Sequence, residues 1–253
     1  MAFSPIGLQR LPVELLYEVE LYALSENLPL VSSHFYDVYK NAPLFFHAQY
    51  ILGRVITSAD LDLSEVYTRA LHYPLCHLRV LEMIHSLLHD RRPSKSRMQL
   101  PRRLFRSLIR PQNGWTNHDE PIPLLQYLYH TPNIPPIDTN ANDGYALTRA
   151  VHAKFLPLVQ FLLDHQASPN CREGLALKVA IRHKSLDMFK MLVERQPGSK
   201  RRGKKQKMED RVLLDSNVLK VAVMSDARDV VEYLYREKGV VPDVQTLKRI
   251  ISL

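Results

Sequence analysis

A small residue flanked by apolar ones recurs three times in the second half of this chain, with the same internal spacing each time. Counted from an alanine, the first copy is Leu147, Ala150, Leu158, Val159, Leu162 and Leu163. The second is Leu177, Ala180, Met188, Phe189, Leu192 and Val193, and the third is Leu219, Ala222, Val230, Val231, Leu234 and Tyr235. A leucine three positions before an alanine shares its face of a helix, and the two later pairs form the stripe of a second helix. Each copy therefore reads as a hairpin of two short helices, with the alanine small because the helices cross closely there. Such a hairpin is apolar on both sides of its packing plane and cannot bury itself alone, so the copies must stack. The pattern predicts an all-α chain whose second half presents a surface to another macromolecule and does no chemistry in a pocket.

Ala150 and Ala180 are 30 residues apart, and Ala180 and Ala222 are 42 apart, so the second interval carries an insertion, placed at residues 197–212. Gly144 and Gly174 precede the first two hairpins, where a tight turn needs a left-handed backbone. The stretch from Asp143 to Asn170 resembles the ankyrin-repeat family. Asp143-Gly144 is similar to its opening turn, Leu158 to Asp164 to its second helix, and Ala167-Ser168-Pro169-Asn170 to its closing motif. The resemblance implies an ankyrin solenoid over residues 142–253, with Leu247 and Ile250 marking a C-terminal capping half-repeat. Upstream, Leu104 with Ser107, then Leu124, Leu125, Leu128 and Tyr129, suggest another copy interrupted by the loop from Pro111 to Pro123. Thr68 to His72 echoes Thr148 to His152, so residues 60–135 read as divergent helical or ankyrin-like repeats. Repeat geometry places target contacts on turns and first helices, at Asp143, Tyr145, Arg149, Arg172, Glu173, Lys178 and Arg182.

Residues 8–43 do not obey the repeat. Pro12 suits the start of a helix carrying Leu15, Leu16 and Val19. A second helix is expected from near Asn27, with Leu30, Val31 and Phe35 on one side, ending before Pro43. Leu11-Pro12-x-Glu14-Leu15-Leu16 together with Leu30-Val31-Ser32-x-x-Phe35 resembles an F-box, with a middle about three residues, or most of a helical turn, shorter than usual in the family. The resemblance implies binding of the Skp-type adaptor of a cullin ubiquitin ligase through Leu11, Pro12, Leu15, Leu16, Leu30, Val31 and Phe35, with the repeats holding the substrate. The same apolar stripe also suits a plain helical cap over the first repeat.

The net charge of +8 invites a nucleic-acid reading, but the charge is local. One basic run is Lys200, Arg201, Arg202, Lys204, Lys205 and Lys207. A second holds Arg91, Arg92, Lys95, Arg97, Arg102, Arg103, Arg106 and Arg110. Outside these runs the 26 acidic residues outnumber the remaining basic ones, and a nucleic-acid partner is not expected. The first run fits an import signal, a nucleic-acid contact or a solvated loop. It nearly forms a phosphate-binding loop from Gly198 to Lys205, but Lys205 stands where a hydroxyl is needed and no strand precedes it. Residues 100–110 alternate apolar and arginine positions, as a basic amphipathic helix or a repeat's inner helix would.

Two cysteines, Cys76 and Cys171, suit a reducing compartment and exclude a cysteine-rich zinc module. Apolar runs are too short to span a bilayer, and Gln9, Arg10, Glu14, Glu18 and Glu20 interrupt any signal-peptide core. The chain is expected to be intracellular, in nucleus or cytoplasm, without a membrane partner. His85 and His89 are an i, i+4 pair, but Ser86 replaces the glutamate of a zinc-protease motif and no third ligand is evident nearby. No nucleophile elbow or dinucleotide fingerprint is present, so no metal, cofactor or catalytic residue is expected. The expected function is substrate recognition for a Skp–cullin–F-box ligase. The alternative is an ankyrin-repeat scaffold or nuclear regulatory partner with no ligase link.

Overall fold

The computed structural model of the chain describes residues 7–56, 61–89, 95–112, 114–194, 211–212 and 214–251. The protein is all-α, with fourteen α-helices among the described residues and one pair of two-residue strands, β1 (Met98–Gln99) and β2 (Ile137–Asp138). The chain divides into two compact units, residues 1–101 with 124–137, and residues 102–123 with 138–253.

In the first unit, α1 (Val13–Ala23) starts directly after Pro12, whose carbonyl accepts from the Leu15 and Leu16 amides. It ends at Leu24, which turns left-handed with φ 47°. The helix expected from Asn27 is replaced by a single 3-10 turn, Leu28–Leu30. The helix proper, α2 (Ser33–Lys40), begins when the Ser32 hydroxyl accepts from the Phe35 amide at 3.3 Å. Serine caps a helix in this way because its oxygen satisfies one of the free amides of the first turn, and Pro29 fits the preceding short turn without needing a donor. α3 (Leu44–Val55) begins directly after Pro43.

Leu16 of α1, Phe35 and Tyr39 of α2, Ala42 just before α3 and Phe46 of α3 form one core. Its rings are layered: Tyr17 lies 4.8 Å and Tyr39 5.9 Å from Phe46, centroid to centroid. The Tyr39 hydroxyl donates to the Leu16 carbonyl at 3.1 Å, tying α2 to α1. α4 (Leu63–Ala70) packs on α3 and on β1, while α5 (Leu78–Leu87) packs chiefly on α3. The Thr68–His72 echo thus lies in an arrangement unlike the hairpins of the second unit. Met98 of β1 donates its amide to the Pro136 carbonyl at 2.8 Å, and α7 (Ile122–His130) contributes buried Leu124, Leu125 and Leu128.

The second unit contains three consecutive hairpins: α8 (Ala141–His152) with α9 (Leu156–Asp164), α10 (Cys171–Arg182) with α11 (Leu186–Val193), and α12 (Ser216–Met224) with α13 (Arg228–Glu232). α8 packs on α10 and α10 on α12, while α9 packs on α11 and α11 on α13. Every residue of the alanine-centred pattern is buried except Tyr235.

The fixed spacing has a backbone cause. After each alanine the helix closes by a Schellman turn, in which the residue four positions on is left-handed: Lys154, Lys184 and Asp226, with φ 54°, 52° and 50°. The next amide, of Phe155, Ser185 or Ala227, donates to the carbonyl of Ala150, Ala180 or Ala222 at 3.0, 3.3 and 3.1 Å. The alanine therefore supplies both the close crossing and the acceptor that closes the turn. Upstream, Asn142–Gly144 and Arg172–Gly174 are each three successive left-handed residues, so the regular parts of α8 and α10 begin only after the glycines.

The third hairpin departs at its end. At the close of α9, the Leu162 carbonyl accepts from Ala167, five residues on, whereas the equivalent Leu234 carbonyl accepts from Val240, six residues on. The additional residue is absorbed by a π-helical turn at Tyr233–Glu237. Such a turn inserts one residue into a helix and rotates the positions beyond it to a new face. Tyr235 is consequently 50% exposed, and Tyr233 takes the interior place, edge-on to Phe189 at 6.0 Å.

Both outer faces of the array are covered. α6 (Arg103–Arg106) packs on α8, and Trp115 lies flat on Phe155 with centroids 4.0 Å apart while its indole N–H donates to the Ala153 carbonyl at 3.0 Å. The helix expected across residues 100–110 is thus only one turn long. Phe105 is buried there and Ile109 is exposed. At the other end α14 (Val244–Ile251) packs on α12, capped by the Asp243 carboxylate accepting from the Thr246 amide at 2.6 Å. No helix among the described residues is long and apolar enough to cross a membrane.

Candidate interaction surfaces

The seven N-terminal residues singled out by the F-box resemblance divide into two groups. Leu16 and Phe35 are buried in the aromatic core and hold α1 against α2. Leu11 is half-buried, and Pro12, Leu15, Leu30 and Val31 are exposed, the last two at 73% and 68%. Large apolar side chains this open are normal singly, but a cluster of them marks a contact surface. On α1, Leu11, Leu15, Glu18, Val19, Tyr22 and Ala23 border a shallow depression of about 550 Å³. Tyr22 is 89% exposed and was missed in the sequence, although it stands at the i+7 position from Leu15 that marks one helical face.

The opposite side of α1 faces a larger cavity of about 860 Å³, also within the first unit. Glu20 lines it and is 1% exposed, and neither of its carboxylate oxygens accepts a well-formed hydrogen bond. Burial pushes its pKa up to about 7, against the pull of the Arg54 guanidinium and, more weakly, of the Ser25 amide and Tyr50 hydroxyl. Burial and the neighbouring Glu20 charge push Tyr39 up to about 12. Arg54 donates to the Leu24 carbonyl and to Glu26, and to the Tyr73 hydroxyl at 3.2 Å. This site was not found from sequence, where Glu20 counted only as a polar interruption of the N-terminus. A glutamate four residues after the buried Leu16, on the same helical face, was the available signal.

In the second unit, Asp143, Arg172, Glu173 and Arg182 are exposed at the turns and first helices of the hairpins. Lys178 is half-buried and 3.6 Å from Glu173. Tyr145 and Arg149 are engaged inside the unit instead. Arg102 sits over the Tyr145 ring at 5.4 Å, and Arg149 donates to the Phe105 and Arg106 carbonyls at 3.3 and 2.8 Å. They hold α6 in place, since those carbonyls end a helix of a single turn and need donors. Between successive turns, Asn140 accepts from the Ser168 amide at 2.7 Å, and the Thr139 hydroxyl donates to the His165 carbonyl at 2.9 Å. The import-signal candidate Lys200, Arg201, Arg202, Lys204, Lys205 and Lys207 lies outside the described residues.

His85 is hydrogen-bonded through Nδ1 to the Tyr67 hydroxyl at 2.6 Å, and no cluster of metal-ligating side chains occurs among the described residues. Comparison with family models, with curated proteins and with solved structures gives no match to this chain.

Proposed function

We propose that this protein is a recognition subunit that performs no bond-making step. Its N-terminal helices act as an F-box-like docking element for a Skp-type adaptor of a cullin ubiquitin ligase. Its three stacked hairpins act as a divergent ankyrin array that holds a protein target. Such a subunit works by raising the target's effective concentration at the ligase.

The observation that carries the reading is the separation of roles within residues 8–43. Phe35 and Leu16 pack the helices together, while Leu15 and Tyr22 on one side of α1, and Leu30 and Val31 beside the cavity on its other side, are left open to solvent. That division suits two preformed apolar patches for a partner, in which aromatic and aliphatic anchors do most of the binding. On the array, Asp143, Arg172, Glu173 and Arg182 supply the polar side chains for a target.

The test is capture of a purified Skp-type adaptor by the full chain, compared with Leu15→Asp and with Leu30→Asp/Val31→Asp. Capture by the native chain and its loss in both variants is the expected result. Failure of the native chain to capture the adaptor overturns ligase docking and leaves a recognition scaffold without a ligase link.

A further inference from the structure

The cavity beside α1 has one-sided polar chemistry. Its buried side-chain atoms without a well-formed hydrogen bond are Glu20 Oε1, Glu20 Oε2 and His47 Nδ1. The other ring nitrogen of His47, Nε2, lies 2.8 Å from the Tyr39 carbonyl. A carbonyl can only accept, so Nε2 donates to it and Nδ1 is the ring atom left without a partner. The ionised form of Glu20 adds two acceptor oxygens to the same wall.

Several donors that face the same cavity are engaged elsewhere. The Tyr39 and Tyr50 hydroxyls donate to the Leu16 and Ser25 carbonyls at 3.1 and 2.8 Å. Arg54 directs three of its N–H donors to Leu24, Glu26 and Tyr73. Arg69 pairs with Glu65, and the His72 ring nitrogen Nδ1 lies 2.7 Å from the Thr68 carbonyl. Each charged group here has an opposite neighbour within hydrogen-bonding reach except Glu20. Native proteins rarely leave buried acceptors unsatisfied, and water or a polar ligand completes them.

We propose that this cavity binds a small primary amine with an aromatic or aliphatic body, its ammonium received by Glu20 and His47. An ammonium offers N–H donors and no acceptor, which suits an ionised carboxylate buried in an apolar wall. The walls suit the body of such a ligand: Phe46, Tyr50, Tyr73, Pro29, Pro74 and Leu75 supply apolar and aromatic surface. The volume of about 860 Å³ falls in the range of sites that enclose small molecules. Arg54, whose charge also acts on Glu20, is paired with Glu26.

The experiment is calorimetry and thermal shift on the full chain with phenethylamine, compared with phenethyl alcohol and 3-phenylpropanoate. The amine is expected to bind and to raise the melting temperature, while the neutral and anionic analogues do neither. Glu20→Gln keeps the shape and removes the charge, and is expected to weaken amine binding at least about tenfold. Leu75→Trp adds bulk at the exposed rim of the cavity and is expected to weaken amine binding even if the first variant folds poorly. Equal binding of the alcohol, undiminished amine binding in Leu75→Trp or in folded Glu20→Gln, or no binding of phenethylamine at about 10 mM overturns the proposal.

Discussion

The Cβ of Cys171 stands where a side chain on Gly144 would have to begin: a Cβ built on Gly144 would meet it at 2.6 Å. Gly174, in the same turn one hairpin later, has its nearest neighbour at 3.4 Å, and both glycines have φ 70°. Gly174→Ala is therefore expected to cost about 1–2 kcal/mol, the left-handed backbone alone. Gly144→Ala adds overpacking against Cys171 and is expected to cost roughly 3 kcal/mol. Urea unfolding of the two variants checks the order, and equal costs would show that Cys171 yields freely.

Leu30 and Val31 are open to solvent while Phe35 sits in the aromatic core of the same segment. Leu30→Ser and Val31→Ser are expected to shift stability by no more than about 0.5 kcal/mol, and Phe35→Ala to cost about 3–5 kcal/mol. Thermal melts of the three variants separate contact residues from supporting ones before any partner is added.

Glu20 gives the fold a defined response to pH. Its folded pKa of about 7 stands above the ordinary 4.5, so between these values the folded protein holds a proton that the unfolded chain has released. Stability from this group falls as pH rises from about 4.5 to 7 and stays lost above it, by about 3 kcal/mol at the full shift. Glu20→Gln is expected to match the native chain near pH 4 and to exceed it by up to about that amount near pH 8. Denaturant midpoints at the two pH values measure it, and a variant no more stable at pH 8 would contradict the buried, unpaired placement.

Arg149 ties α6 to α8 through two carbonyls. Arg149→Ala is expected to cost about 1–3 kcal/mol, and Arg149→Lys nearly as much, because an ammonium does not reproduce the guanidinium's fork of donors. Hydrogen exchange confined to residues 102–112 would register the released segment. Arg182, which is exposed, is expected to be neutral to stability when changed to alanine.

The hairpins were legible in the sequence because one residue, the alanine, performs two tasks whose geometry allows no slack. Its size sets the crossing and its carbonyl closes the Schellman turn, so Lys154, Lys184 and Asp226 fall at one spacing despite their different chemistry. The π-helical turn left no such mark. Tyr233 and Tyr235 are the same residue type two positions apart, and only the backbone decides which goes inside. The cover over α8 was misread as part of another repeat because Phe105 and Trp115 reach partners about 40 residues away in sequence, beyond any periodicity. At the N-terminus the apolar positions were legible, but the division into buried Phe35 and open Val31 depended on where the Ser32 cap starts α2. The Glu20 cavity was hidden because a carboxylate on a helix reads as solvent-facing until its neighbours are placed.

The Trp115–Phe155 stack has a practical consequence. The chain has one tryptophan, and it rests on the first hairpin, in the second unit. Indole emission is therefore a built-in reporter of that unit alone. A melt monitored at the tryptophan band reads the array, and one monitored by far-ultraviolet dichroism reads all the helices, so the difference between the two curves resolves whether the N-terminal unit unfolds independently, without any label.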